Sequence, residues 1–276
     1  MEYLCVFDLD DTLLSPDNSI SLENIEALQK LRDLDVGITI ATGRSPFMTG
    51  KYADMLALSL PVICCNGGML IKPDNSGIIW ENPIEQQTLS ILLRYLLDQH
   101  ADFLAYTGKT VYYAHESVRI NIFREYNKTV PPAARAPLQE FTYADLNTIP
   151  VGVNKVLLAW PTPEQCAFVK AIPGLEAVFS RPTSFDIMQD GSTKGNGVLS
   201  LSKYTGIPVE NIAVFGDSEN DISMFTCGAL GIAMGHGHEK AKAKARHVTG
   251  TNVESGVAQG IYKYVLPYFG LSEYTF

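Results

Sequence analysis

The sequence predicts an α/β protein: a parallel sheet built from the two ends of the chain, with a smaller mixed α/β lobe inserted between them. Three observations predict it. Apolar strand-like runs alternate with helix-period segments at both ends of the chain. The composition shifts after Pro83, and the alternating rhythm returns only near residue 188. The length of 276 residues, 46% hydrophobic, is enough for one large core or two ordinary ones.

Taken in order, residues 4–7 form a first buried strand, and residues 22–35 a helix with Leu22, Ile25, Leu28 and Leu31 at helical spacing behind a Ser21 N-cap. Residues 36–41 are a second strand, so the opening is a βαβ unit, whose ligands gather at the carboxyl ends of the strands. Ser45-Pro46 opens another helix, residues 60–65 are a third strand, and residues 69–71 and 78–80 make a hairpin across Pro73–Gly77. The inserted lobe, residues 84–187, contributes a helix at 87–99, a hairpin around Gly108, a loop at 131–137, a strand at 156–160, a helix at 164–171 and strands at 177–180 and 185–188. Residues 119–126 are read as a solvated helix face. In the returning half, a helix runs from Gly195 to Tyr204, strands occupy 211–215 and 228–233, and helices follow at 239–245 and 254–266. The core is thus residues 1–83 and 188–276.

A net charge of −9 argues against a general nucleic-acid binder, because backbone affinity needs clustered Lys and Arg. A phosphorylated substrate must be held by local charges. No basic leader or membrane-length apolar run is present, so a soluble cytoplasmic protein is expected. Five cysteines without Cys-x-x-Cys spacing fit reduced core thiols.

Four stretches carry chemistry. The first strand runs into Asp8-Leu9-Asp10-Asp11-Thr12. Close carboxylates repel and raise one another's pKa unless a cation lies between them, and a hard divalent ion such as Mg²⁺ prefers oxygen ligands. Asp8-x-Asp10 alone is equally a loop that starts acidic. The second strand ends in Thr42-Gly43-Arg44, a hydroxyl, a flexible residue and a guanidinium where an anion can be met. Lys194 stands at a helix start, where a positive charge is unfavourable unless it serves something outside the helix. A later strand runs into Gly216-Asp217-Ser218-Glu219-Asn220-Asp221, poor for stability but suited to cation coordination. Together these are a nucleophilic carboxylate, a second carboxylate, a hydroxyl, a lysine and an acidic loop at strand ends of one sheet, the parts of phosphoryl transfer.

In order and spacing these stretches resemble the four motifs of the haloacid dehalogenase superfamily, and within it the Cof-type phosphatases. The resemblance spans nearly the whole chain and implies a Rossmann-like core with an inserted α/β cap of type IIB. It further implies Mg²⁺-dependent hydrolysis of phosphate monoesters through an aspartyl-phosphate. Asp8 would be the nucleophile, and Asp10, held protonated at the start, the general acid and then base. Thr42 and Lys194 would hold the transferring oxygens, with Gly43, Arg44 and Asn66 near the phosphate. Metal ligation would fall to Asp8, the Asp10 carbonyl and Asp217, with Asp221 and Asn220 completing or orienting the shell. A covering cap favours small substrates such as sugar phosphates, nucleotides or phosphorylated cofactors over proteins; Arg119, Arg124 and Lys155 are the candidate cap contacts. Many relatives have Gly where Asp11 stands, and Asn where Gly235-His236 stands; His236 and His238 are read as a surface loop rather than a zinc site. A phosphosugar mutase on the same core, a response-regulator-like module and a non-catalytic binding protein are the rival readings.

Overall fold

A computed structural model describes residues 1–271. Strand β1 (Tyr3–Phe7) leads, through a wide turn, to helix α1 (Leu22–Asp33) and strand β2 (Val36–Ile40). The turn is closed by i to i+5 hydrogen bonds, from Leu13 N–H to the Asp8 carbonyl and from Leu14 N–H to the Leu9 carbonyl. Ser21 caps α1 by accepting from the Asn24 N–H. Pro46 starts a single tight turn rather than a helix, and α2 (Gly50–Met55) follows. The third predicted strand, β3 (Val62–Cys64), touches the parallel sheet through one Ala41–Ile63 bridge. Its main partners are β4 (Met69–Ile71) and β5 (Ile78–Glu81), in a three-stranded antiparallel sheet.

The inserted lobe begins with α3 (Gln86–Asp98), whose Leu89, Leu92, Leu93 and Leu96 are buried against its sheet. Strands β6 (Phe103–Tyr106) and β7 (Val111–Ala114) form the hairpin; α4 (Asn121–Thr129), β8 (Leu138–Phe141), β9 (Lys155–Ala159), α5 (Pro163–Ala171), β10 (Leu175–Arg181) and β11 (Ser184–Gln189) follow. The sheet order is β10-β11-β9-β6-β7-β8. The sequence reading missed β8, a short edge strand whose central Gln139 and Glu140 are exposed, so no apolar run announces it.

The chain then returns through α6 (Lys194–Thr205), β12 (Ile212–Gly216), α7 (Ile222–Phe225), β13 (Leu230–Ala233), α8 (Glu239–Lys242) and β14 (His247–Val248). The helix expected over 239–245 is one turn long. The helix expected over 254–266 is broken, because Ser255 adopts a left-handed conformation (φ 57°) and hydrogen-bonds Ser21; α9 (Gly256–Gly260), a widened turn and α10 (Leu266–Tyr268) replace it.

The core sheet has the order β14-β13-β12-β1-β2, with every pairing parallel. Phe7 of β1 is level with Ile40 of β2 and Phe215 of β12. The chain leaves β1 toward β2 on one side and comes back to it through β12 on the other. That switch point opens a crevice at the carboxyl ends of the central strands, with Asp8, Thr42 and Asp217 at its lip.

Candidate active site

Asp8 is the first residue beyond β1, fixed there by its N–H donating to the Phe215 carbonyl (3.0 Å). Its Oδ1 pairs with Lys194 Nζ at 2.7 Å, and the same ammonium donates to Asp221 Oδ1 at 2.6 Å. The Lys194 side chain is wholly buried, as is that of Asp221. Lys194 reaches the carboxylates because Thr193 caps α6, accepting from the Asn196 N–H and leaving the next residue aimed into the crevice.

Asp217 follows β12 and is held by hydroxyls: Thr12 Oγ1 donates to its Oδ1 and Ser218 Oγ to its Oδ2, each at 2.8 Å. Asp221 Oδ2 accepts the N–H groups of Asp217 (2.8 Å) and Ser218 (2.9 Å). The carboxylates of Asp8, Asp217 and Asp221 each offer an oxygen, and these lie within 4.8 Å of one another. Burial first, then the neighbouring carboxylates, push Asp8 well above the carboxylate range despite Lys194. Burial and Asp221 push Asp217 up to about 6. For Lys194, burial works against the charge, but Asp221 and Asp8 outweigh it and the pKa rises.

Thr42 is buried one strand over, its N–H donating to the Ile63 carbonyl and its Oγ1 accepting from the Arg44 N–H (3.1 Å). Asn66 donates to Asp186 Oδ2 (2.7 Å) and accepts from Asn220 Nδ2 (3.0 Å). These two asparagines are therefore brought together beside the carboxylates.

Two expectations are corrected. Asp10 is not held protonated: burial alone would raise it, but the Arg44 fork (2.7 and 2.9 Å) and Arg181 hold it below its ordinary value. Residues 119–126 are a solvated face only in part: Asn121, Ile122, Arg124 and Glu125 are exposed, while Ile120 and Phe123 are buried. Ile122, Phe123, Glu125 and Tyr126 of α4 line a cavity of about 660 Å³ shared with Asp8, Asp10 and Arg44, and the Tyr126 hydroxyl donates to the Phe47 carbonyl (2.6 Å). Arg119 and Lys155 also line this cavity, whereas Arg124 lies over the Tyr113 ring, away from it.

Three functional candidates escaped the sequence reading. Lys155 Nζ donates to the Gly43 carbonyl (2.7 Å) and pairs with Asp186 Oδ2 (2.8 Å), so Asp186, wholly buried, ties the lobe to the second motif. A lone acid between Phe185 and Ile187 in an apolar strand was a usable signal, because a buried carboxylate needs a partner. Arg181, half-exposed at the β10–β11 turn, reaches Asp10 (3.2 Å) and Asp11 (3.3 Å), and Tyr106 adds an aromatic wall; neither has a local sequence signature. His236 Nε2 donates to the Asp11 carbonyl (2.8 Å), and His238 faces Glu219.

The model of the haloacid dehalogenase-like hydrolases matches residues 5–261. The chain belongs to that family. It is 29% identical over 269 residues to pyridoxal phosphate phosphatase YbhA of Escherichia coli (strain K12), covering 94% of this chain and 97% of the relative. It is 27% identical over 273 residues to 5-amino-6-(5-phospho-D-ribitylamino)uracil phosphatase YitU of Bacillus subtilis (strain 168), covering 95% and 97%. A haloacid dehalogenase-like hydrolase from B. subtilis superposes with a TM-score of 0.82 at 25% identity, over 96% of this chain and 100% of that one. Within the haloacid dehalogenase-like hydrolases the protein is a Cof-type phosphatase, and the inserted lobe is its α/β cap. No helix among the described residues is long and apolar enough to cross a membrane.

Proposed function

We propose that this phosphatase hydrolyses small phosphate monoesters with Mg²⁺, through a phosphoryl group carried on Asp8. The observation that carries the reading is the contact of Asp8, Lys194, Asp217 and Asp221 at one end of a cavity roofed by the cap. The donor set fits a hard cation. Three buried carboxylates gather where one ammonium pairs with only two of them, Asp8 and Asp221, and Asn220 Oδ1, on the same loop, is buried without a hydrogen-bond partner. Asp8, Asp217 and the Asp10 carbonyl would hold Mg²⁺, with Asp221 and Asn220 orienting them. When bound, the ion supplies positive charge that cancels the repulsion between Asp8 and the incoming phosphate.

The chain's own groups then divide the work. An Asp8 oxygen attacks phosphorus as the bond to the leaving alcohol breaks, and Asp10 gives that alcohol its proton. Water next attacks the aspartyl-phosphate, Asp10 takes the proton back, and inorganic phosphate leaves. Asp10 carries that proton only after taking it up from solvent, for which Arg44 has to leave its carboxylate, and the phosphoryl oxygens are the competing acceptor for the guanidinium. Thr42 and Lys194 hold the transferring oxygens. The cap, residues 84–187, closes on the core, residues 1–83 and 188–276, and keeps bulk water out. The named relatives act on pyridoxal phosphate and on a ribityl phosphate, which favours a small phosphorylated metabolite here.

The test is phosphate release from a panel of small esters, with Mg²⁺ and with chelator, for wild type and Asp8→Asn. Release that needs Mg²⁺ and falls at least about a thousandfold in Asp8→Asn is expected. No release from any ester by the folded, Mg²⁺-supplied wild type overturns the reading.

A further inference from the structure

Native structures leave few buried polar atoms unpaired, and each one asks for a partner. Among the described residues six buried side-chain polar atoms lack one, and four of the six belong to residues lining the single cavity above the nucleophile: Ser45 Oγ, Arg119 Nε, Asp186 Oδ1 and Asn220 Oδ1. Ser45 and Asn220 are on the core side, beside the groups that handle phosphate. Arg119 and Asp186 are on the cap.

The cap pair has a defined polarity. Arg119 Nη2 donates to Ser184 Oγ (2.9 Å), no carboxylate among the described residues pairs with its guanidinium, and its Nε is a donor left over. Asp186 Oδ2 takes both Lys155 and Asn66, while Oδ1 takes nothing and is an acceptor left over. Ser184 and Asp186 alternate along β11, so they face the cavity from the same side of the cap sheet. Tyr106 and Leu157 continue the wall around them as apolar surface.

Resting on the reading of this cavity as the phosphatase site, we propose that Arg119 and Asp186 are the specificity-determining residues for the leaving group. Arg119 Nε receives a hydrogen-bond acceptor and Asp186 Oδ1 a donor. The preferred ester therefore carries a neutral alcohol bearing hydroxyls, or a ring with both N–H and C=O. A carboxylate or second phosphate placed at Asp186 meets an ionised group and is rejected. An apolar alcohol leaves both residues unpaired.

The experiment measures kcat/KM for n-hexyl phosphate, for carboxylated esters, and for hexose and pentitol phosphates with their single deoxy and O-methyl analogues. Wild type should prefer the polyols and lose about tenfold or more when the critical hydroxyl is O-methylated or removed. In Asp186→Asn the O-methyl penalty should shrink below about threefold, and in Arg119→Met, which breaks no ion pair, the penalty for removing the acceptor oxygen should vanish. A merely structural effect lowers all esters alike and leaves these ratios intact. Unchanged ratios in both variants, or n-hexyl or carboxylated esters as the best substrates, overturn the proposal. Absence of phosphate release from every ester overturns the phosphatase reading instead.

Discussion

At the scale of single residues, Asp11 stands in a backbone conformation that suits glycine. Its φ is 60°, a left-handed conformation that Gly adopts freely and Asp better than most. Its carboxylate meets Arg181 and its carbonyl meets His236, and only the first contact needs a side chain. Asp11→Gly should therefore stay within about 1 kcal/mol of wild-type stability, while Asp11→Val, β-branched at positive φ, should lose at least about 1 kcal/mol in denaturant unfolding. Its neighbour Asp10 fixes a pH dependence. A carboxylate whose folded pKa is depressed contributes stability above its unfolded value, and that contribution is lost as pH falls through the folded value. The Asp10–Arg44 pair, part-exposed and bidentate, is worth roughly 1 kcal/mol. Wild type should thus exceed Asp10→Asn in stability at pH 7, and the gap should begin to narrow as the pH falls below about 4, the ordinary carboxylate value, and close only below the depressed folded value.

At the scale of elements, the strand ends are level by register and α6 is brought up to them. The fit is tight. A Cβ at Gly67, which itself has φ 90°, would lie 2.0 Å from the Thr193 carbonyl oxygen, at the cap of α6. Neither atom is a flexible side chain, so accommodation means moving the helix that carries Lys194. Gly67→Ala is expected to cost at least about 2 kcal/mol and to lower kcat more than its loss of folded protein explains. Thermal unfolding and active-site titration of the soluble fraction check it. A variant with wild-type kcat would mean that the helix start tolerates displacement.

At the scale of the whole molecule, cap and core are joined by charged and polar bonds as well as by a shared apolar cluster that includes Cys65 and Met69 of the core and Leu104, Tyr106 and Leu157 of the cap. Lys155 of β9 crosses to the Gly43 carbonyl and pairs with Asp186, both side chains almost fully buried. Removing one member of a buried pair leaves an uncompensated charge, at about 3–5 kcal/mol, whereas replacing both is far milder. Lys155→Met should lower the melting temperature clearly, and adding Asp186→Leu to it should recover part of the loss. Equal melting temperatures for the single and double variants would show that the pair contributes only packing.

The core sheet and the residues gathered at its strand ends could be read from the sequence. A polar loop that follows a buried strand is announced by the strand, so the places of Asp8, Thr42 and Asp217 were legible from apolar runs ending in polar residues, and that of Lys194 from a charge on the wrong end of a helix. Only the tertiary structure decided the rest. That Asp10 pairs with Arg44 depends on how two loops of the core meet, and that α4 faces the cleft and that Arg181, Lys155 and Asp186 reach the core depend on how the inserted cap sits over the sheet. The cap's bonds to the core, Lys155 to Gly43 and Arg181 to Asp10, join residues more than a hundred positions apart. A side chain's partner across such a distance is set by packing between lobes, and local periodicity carries no trace of it.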